Sequence, residues 1–293
     1  MSETTRDRST HPTPRVVHSA AQLPDPTPGR ERAVVMTMGA LHRGHAELMS
    51  VARAAVGPDG EVVVTIFVNP LQFGSVADLA TYPETWEADL AVCQAQGVDY
   101  VFAPAVTTMY PPEVPEILVD PGPLGQVAEG EVRPGHFRGV LTVVLKLINM
   151  VRPDYAVFGE KDYQQLVLIQ AMTAALNLPV VIVAAPIVRD HDGLALSSRN
   201  VRLSPEARAA ALALPRSIAV AQRAAVAGQT ADAVCRSANA ELAAVGITPD
   251  YVSVYDPQFN PNPVAGPARI LVAAYVGGVH LLDNGAVSFG GGL

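Results

Sequence analysis

An alternation of apolar runs with helical stretches constrains this chain more than any other feature. Strand candidates Val34–Thr37, Glu61–Asn69, Tyr100–Ala103, Tyr155–Phe158 and Val180–Ala184 are separated by helical stretches at Gly44–Val56, Thr85–Gln96, Gly139–Val151 and Tyr163–Leu176. Such alternation builds parallel strand pairs joined by right-handed crossovers. The run Val62-Val-Val-Thr-Ile-Phe-Val68 has almost no polar face, as expected for a strand covered by helices on both sides. The spacing therefore predicts an α/β domain of Rossmann-like architecture over residues 32–187. After Asn200 the chain becomes Ala-rich, with a helix over Pro205–Ala227 interrupted at Pro215 and a second over Thr230–Val245. Strand candidates Tyr251–Tyr255, Arg269–Tyr275 and Val279–Leu282 follow, so residues 188–293 read as a smaller α+β domain. Residues 1–31, rich in Pro, Thr, Arg and Asp without periodicity, read as a disordered tail, and Gly290-Gly-Gly292 as a flexible end.

The first strand empties into Met38-Gly-Ala-Leu-His-Arg-Gly-His45, a glycine-bearing turn with two histidines three residues apart before a helical pattern at Ala46, Leu48, Met49 and Ala52. The unpaired N–H groups and positive dipole end of such a helix start attract an anion, and His42 and His45 add two donors beside it. A nucleotide phosphate fits this arrangement. The pair alone leaves other readings open: one core and one surface histidine, or a metal pair lacking its third ligand. Neither Cys93 nor Cys235 stands in metal-ligand spacing, and no Glu follows His42 as in an H-E-x-x-H helix.

Two further segments favour the anion. Tyr155-Ala-Val-Phe-Gly-Glu-Lys-Asp-Tyr-Gln-Gln165 repeats the strand-to-helix turn and places Lys161 at the carboxyl end of its strand, where open parallel sheets bind ligands. A cation at a helix N-terminus is misplaced unless an anion shares the site. Arg189-Asp-His-Asp-Gly-Leu-Ala-Leu-Ser-Ser-Arg-Asn200 is a polar loop in which Ser197, Ser198 and Arg199 supply donors suited to phosphate oxygens. It reads equally as the linker to the second domain.

Composition narrows the class. The 293 residues suffice for two domains. A net charge of −8 argues against nucleic acid or an anionic membrane as partner. Two cysteines outside any C-x-x-C pattern point to a reducing compartment. Residues 1–8 carry acidic side chains and no apolar core of a secretory signal, and no apolar run approaches the ~18 residues of a membrane span, so the expected location is the cytoplasm.

Five segments in order then carry a resemblance: Met38–His45, Phe67-Val-Asn-Pro-Leu-Gln-Phe73, Arg133-Pro-Gly-His-Phe-Arg-Gly139, Phe158-Gly-Glu-Lys-Asp162 with Gln164 and Gln165, and Asp192–Asn200. From Val34 to Asn284 the chain resembles the pantothenate synthetases, ATP-dependent ligases that join pantoate to β-alanine. The resemblance implies a nucleotidyltransferase-type member of the Rossmann-like folds, without a G-x-G-x-x-G loop, whose smaller C-terminal domain covers the active site. It implies ATP as co-substrate, Mg2+, a homodimer, and a pantoyl adenylate formed before the amine of β-alanine displaces AMP. Met38, Gly39, Ala40, Leu41, His42, Arg43, Gly44 and His45 would line adenosine and phosphates, with His42 and His45 on the transferring phosphate and His45 the proton donor. Gly159, Glu160, Lys161, Asp162, Val188, Leu196, Ser197, Ser198 and Arg199 would complete the ATP site, with Lys161, Ser197, Ser198 and Arg199 acting on the phosphates. Gln72 and Gln165 would orient pantoate, with Gln72 bordering the β-alanine position and Asn69 nearby. The family commonly has Arg where Glu84 stands and an acidic residue at Ala88, which leaves Asp89, Glu87, or phosphates and waters alone to hold magnesium. Met36 replaces the family's usual Pro. A nucleotidyltransferase of the same architecture would leave the nucleotide on another small acceptor. A silent nucleotide-binding module would be expected to lose one of His42, His45, Lys161 or Arg199, and all four are present.

Overall fold

The alternating runs form the expected sheet. A computed structural model describes residues 11–74, 79–114 and 116–290. Six strands, β1 (Arg15–Val17), β2 (Arg32–Thr37), β3 (Glu61–Ile66), β4 (Tyr100–Phe102), β5 (Tyr155–Gly159) and β6 (Val181–Ala185), lie in the order β1-β4-β3-β2-β5-β6. The β1/β4, β4/β3, β3/β2 and β2/β5 pairs are parallel. Val35 sits in register with Val64 on one side and Val157 on the other. The chain steps outward from β2 through β3 to β4 and then returns to place β5 on the far side of β2. The strand order reverses there, and ligands of open parallel sheets sit at the carboxyl ends flanking such a reversal.

Contacts divide the chain into two units, neither of them continuous in sequence. The first comprises residues up to Val119 with Arg138–Phe158 and Thr173–Ala185, and the second Asp120–Phe137, Gly159–Met172 and the chain from Pro186 onward. The expected boundary near 187 therefore marks only the last of several crossings. In the first unit, Met49, Ala52 and Val56 of helix α1 (Arg43–Val56) and Cys93 of helix α2 (Trp86–Ala95) pack on Val35, Val64 and Val101. Each fully buried Val or Met among them contributes about 1.5–3 kcal/mol.

The second unit has an antiparallel sheet ordered β7-β8-β9, from β7 (Pro249–Tyr255), β8 (Gly266–Val276) and β9 (Val279–Phe289). Gly277 and Gly278 make the β8–β9 turn with φ of +56° and +77°, which side-chain-bearing residues rarely adopt. Its helices include Pro205–Ala211, Ala213–Val226 and Ala231–Ala243, whose Ala211, Leu214, Ile218, Ala221, Val234 and Leu242 bury against Ile270 and Val272. The break expected at Pro215 falls at Leu212, so the proline occupies the first turn of the new helix, where its missing N–H leaves no bond unmade.

One expectation is corrected. The segment before residue 32 was expected to be a disordered tail, yet Arg15–Val17 forms the edge strand β1 against β4. Farther along the same segment, Pro24 O accepts from Arg32 Nη2 at 2.9 Å, and Asp25 pairs with Arg152. A three-residue edge strand has too few residues to show a period, and only its distant partner reveals it. Arg32 is fully buried, its guanidinium bonded to Glu61 Oε2 at 2.7 and 2.9 Å and to Val151 O at 2.9 Å, so Pro24 completes a buried network. Residues 1–10 of that expected tail, and the expected flexible end from Gly291 on, lie outside the described residues. Deleting residues 1–28 should lower stability by about 2–3 kcal/mol through lost ladder bonds and an unsatisfied guanidinium N–H. At about 2–4 °C per kcal/mol for a chain of this size, differential scanning calorimetry should show a clear fall in Tm; an unchanged Tm would show that these contacts stabilise nothing.

Candidate active site

In the first unit, β2 ends in a turn held by one carboxylate. Gly39 and Ala40 take φ of +84° and +51°, an uphill conformation for the alanine. Asp89, buried on α2, accepts from Ala40 N at 3.0 Å through Oδ2, and from Leu41 N at 2.7 Å and Thr85 Oγ1 at 3.0 Å through Oδ1. A Cβ on Gly39 would lie 3.0 Å from Asp89 Oδ2, so glycine admits the carboxylate. Asp89, the residue expected to meet magnesium, spends both carboxylate oxygens on this turn, and among the described residues no three His, Cys, Asp or Glu side chains cluster as a cation cage. Among the described residues nothing forms a cage that would hold a metal without the phosphates of ATP.

The turn delivers the two histidines to the start of α1. His42 is the N-cap: its Nδ1 accepts from Gly44 N at 3.1 Å, while His45 Nδ1 accepts from His42 N at 3.2 Å. This reciprocal cap is the histidine version of the Ser/Glu capping box. The ring centroids stand 4.1 Å apart. Because each Nδ1 accepts, each neutral ring carries its proton on Nε2, and both Nε2–H groups are donors.

Asn69, Gln72 and Met38 also come together. Gln72 Nε2 donates to Met38 Sδ at 3.1 Å, and its Oε1 accepts from Asn69 Nδ2 at 3.1 Å. Asn69 was expected to stand near the substrates. It is only 1% exposed and bonded to protein on both ends of its amide, so it shapes the turn that carries Gln72.

In the second unit, the turn Glu160–Asp162 after β5 is pinned from β8 and β9. Asn284 Nδ2 donates to Glu160 O and Lys161 O, each at 2.9 Å, and Arg269 pairs with Glu160 at 2.8 Å while stacking 4.1 Å from the Tyr163 ring centre. Lys161 Nζ lies 3.3 Å from Asp162 Oδ1. Desolvation opposes ionisation of Asp162, but Lys161, Arg199 and His136 outweigh it and hold the carboxyl below its usual range. Cations of two separate motifs, Lys161 and Arg199, thus share one electrostatic neighbourhood. Leu196 N donates to Val188 O at 3.0 Å, which brings those two expected ATP-site residues together. Ser197 caps the short helix Ser198–Arg202 by accepting from Arg199 N at 3.2 Å. Gln165 is half-buried on the helix Tyr163–Ala175. Its neighbour Gln164 is buried and ties the 124–129 segment through Leu124 O, Val127 O and Glu129 N.

A cluster of ionisable side chains around the buried Glu129 went unnoticed in the sequence. Glu129 meets Arg133 Nη1 at 3.3 Å and Tyr251 Oη at 3.2 Å, and His280 reaches Asp250 at 3.2 Å and Glu129 at 3.7 Å. Burial pushes the Glu129 carboxyl up despite Arg133. Burial, aided by Arg133, Arg199 and Lys161, pulls the His280 imidazole down despite Asp250. Only Arg133 and His136 had a signal, in the Arg133–Gly139 segment.

A profile of the family described as Pantoate-beta-alanine ligase matches residues 13–286. The chain belongs to the pantoate–β-alanine ligase family. It is 55% identical over 264 residues to the pantothenate synthetase of Nocardioides sp., covering 87% of this chain and 78% of that one. It is 51% identical over 276 residues to that of Salinispora arenicola, covering 93% and 97%. The solved pantothenate synthetase of Thermus thermophilus superposes with a TM-score of 0.84 at 43% identity, covering 92% of this chain and 98% of the other. The Francisella tularensis pantoate-beta-alanine ligase, solved with beta-gamma ATP and beta-alanine, superposes with a TM-score of 0.75 at 29% identity, covering 93% and 97%. Membership makes this chain an ATP-dependent ligase of the expected fold class. For such a ligase the role found for Asp89 is testable. Asp89→Asn turns an amide N–H toward backbone donors and orphans one of them, so stability should fall by about 1–3 kcal/mol and kcat should drop with it. The Mg2+ concentration for half-maximal rate should not move; a several-fold rise in it would make Asp89 a magnesium ligand after all.

Proposed function

We propose that this ligase activates the carboxylate of pantoate as an acyl adenylate and then passes the acyl group to the amine of β-alanine, yielding pantothenate, AMP and pyrophosphate. Forming an amide from a carboxylate in water is uphill, so one carboxylate oxygen must first become part of a leaving group. The carboxylate attacks the α-phosphorus of ATP, and the bond from that phosphorus to the bridging oxygen of pyrophosphate breaks. The unprotonated amine of β-alanine then attacks the acyl carbon, AMP departs with the carboxylate-derived oxygen, and the extra amine proton leaves to solvent. The first step needs no general base, because the nucleophile is already ionised. Catalysis is positioning and neutralisation of charge on the phosphates.

The reciprocal histidine cap carries this reading, since it fixes both rings with Nε2–H as donor. His42 and His45 donate to the transferring phosphate, and His45 is the proton donor. Lys161 and Arg199 neutralise phosphate oxygens, with Ser197 and Ser198 as short donors. Gln72 and Gln165 present both a donor and an acceptor to a hydroxy acid. With Asp89 committed to the turn, magnesium would be held by the ATP phosphates and would neutralise part of their charge. Among the described residues no helix is long and apolar enough to cross a membrane. A homodimer in the cytoplasm is the setting the family resemblance favours.

Labelled pyrophosphate should exchange into ATP when pantoate alone is present; strict dependence on β-alanine would rule out a free adenylate. Lys161→Ala should lower kcat by roughly 10²–10³, the scale for losing one donor to developing charge, with a smaller change in ATP affinity. Gln165→Ala should chiefly raise KM for pantoate. Steady-state kinetics separate the two, and a Gln165→Ala enzyme disturbed mainly toward ATP would overturn the placement of pantoate.

A further inference from the structure

The segment Phe67–Phe73 holds Gln72 through Asn69, and Asn69 has a partner far away in sequence. Its Nδ2 donates to Gln72 Oε1 and Gly139 O, both at 3.1 Å, and its Oδ1 accepts from Leu71 N at 3.3 Å and Tyr110 Oη at 2.8 Å. Leu71 N–H can only donate and Gly139 O can only accept, so the orientation of the Asn69 amide is fixed. Tyr110 must therefore be the donor in its bond. Desolvation, with Glu116 as a lesser cause, raises the phenol above its ordinary pKa and keeps that proton in place.

The tyrosine ring is itself seated. Phe67 lies 6.2 Å away between ring centroids, and Lys146 Nζ stands 5.7 Å from the Tyr110 ring centre. On the opposite side, a Cβ on Gly139 would fall 2.3 Å from Leu71 O and 2.8 Å from Gln72 N. The backbone there leaves no space for the turn to relax toward α3 (His136–Val151). Gly139 closes one side of the turn and Tyr110 sets the other.

We propose that Tyr110 is a positioning residue for the hydroxy-acid site, whose hydroxyl locks the Asn69 amide and through it aims the Gln72 side chain at pantoate. This rests on the reading of Gln72 as a pantoate ligand. Tyr110 touches no reacting atom.

Tyr110→Phe keeps the ring between Phe67 and Lys146 and deletes only the hydroxyl, while Asn69 Oδ1 keeps Leu71 N. KM for pantoate should rise roughly three- to tenfold, the equivalent of one net hydrogen bond, with KM for ATP unchanged and Tm close to that of the parent. A double-mutant cycle tests the route. Gln72→Ala should raise KM for pantoate by itself, and adding Tyr110→Phe to it should change nothing more. If Tyr110→Phe left KM for pantoate unchanged while Gln72→Ala raised it, the positioning role would be overturned and the pantoate reading kept. Equal factors in both backgrounds would also overturn it, because Tyr110 would then act independently of Gln72. If Gln72→Ala itself left KM for pantoate unchanged, the pantoate reading would fail and the Tyr110 role with it.

Discussion

The buried carboxylate of Asp89 is the contact on which the histidine end of the site depends. One side chain from α2 accepts from two successive backbone N–H groups, Ala40 and Leu41, and so holds a turn whose Ala40 sits in the left-handed region. Hydrogen bonds to an ionised acceptor contribute more than neutral ones, enough to offset the uphill backbone of Ala40. That turn sets where α1 begins. The position of the helix start in turn decides that His42 caps it and His45 caps back, which fixes the tautomer of both rings. Burying the carboxylate in backbone bonds also explains why a chain with Ala88 still builds this turn: what the turn requires is acceptors aimed at Ala40 and Leu41.

Other polar side chains in both units work the same way, as fixed supports for the residues proposed to meet substrate. In the first unit Asn69 holds the turn that carries Gln72, and in the second Asn284 and Arg269 hold the turn that carries Lys161. Gln164 is buried and structural while Gln165, the next residue, is only half-buried. Neighbouring glutamines divide in this way because successive side chains on a helix point about 100° apart, so only one can face the 124–129 segment. Supports of this kind reduce the freedom that substrate-binding groups lose on binding, which is how positioning lowers a barrier.

Much of the fold was readable in local pattern. The parallel-sheet strands from residue 32 onward and the long helices fall within a few residues of where apolar runs and helical spacing put them, because burial on both faces of a parallel sheet leaves its mark on every residue of the run, whereas the strand expected over Val279–Leu282 runs on to Phe289. The same holds for the break near Pro215. The strand Arg15–Val17 was not readable, since three residues carry no period and its stability comes from Tyr100–Phe102. Nor was the assignment of residues 120–137 and 159–172 to the second unit, which follows from bonds such as Gln164 to Leu124 O and Asn284 to Lys161 O.

By itself the sequence determined the strand-turn-helix units, the residue types able to meet phosphates, and, through motifs in a fixed order, the family. Those follow from local composition and spacing. The tertiary structure alone decided which groups the polar residues meet: that Asp89 anchors a turn, that Asn69 holds Gln72, that Tyr251 and His280 gather around the buried Glu129, and that Tyr110 bonds to Asn69. A hydrogen bond depends on two groups meeting within about 3 Å in the right direction. For residues as far apart in the chain as Asn69 and Tyr110 no local pattern encodes that meeting; the register of the sheet and the packing of helices on it bring them together.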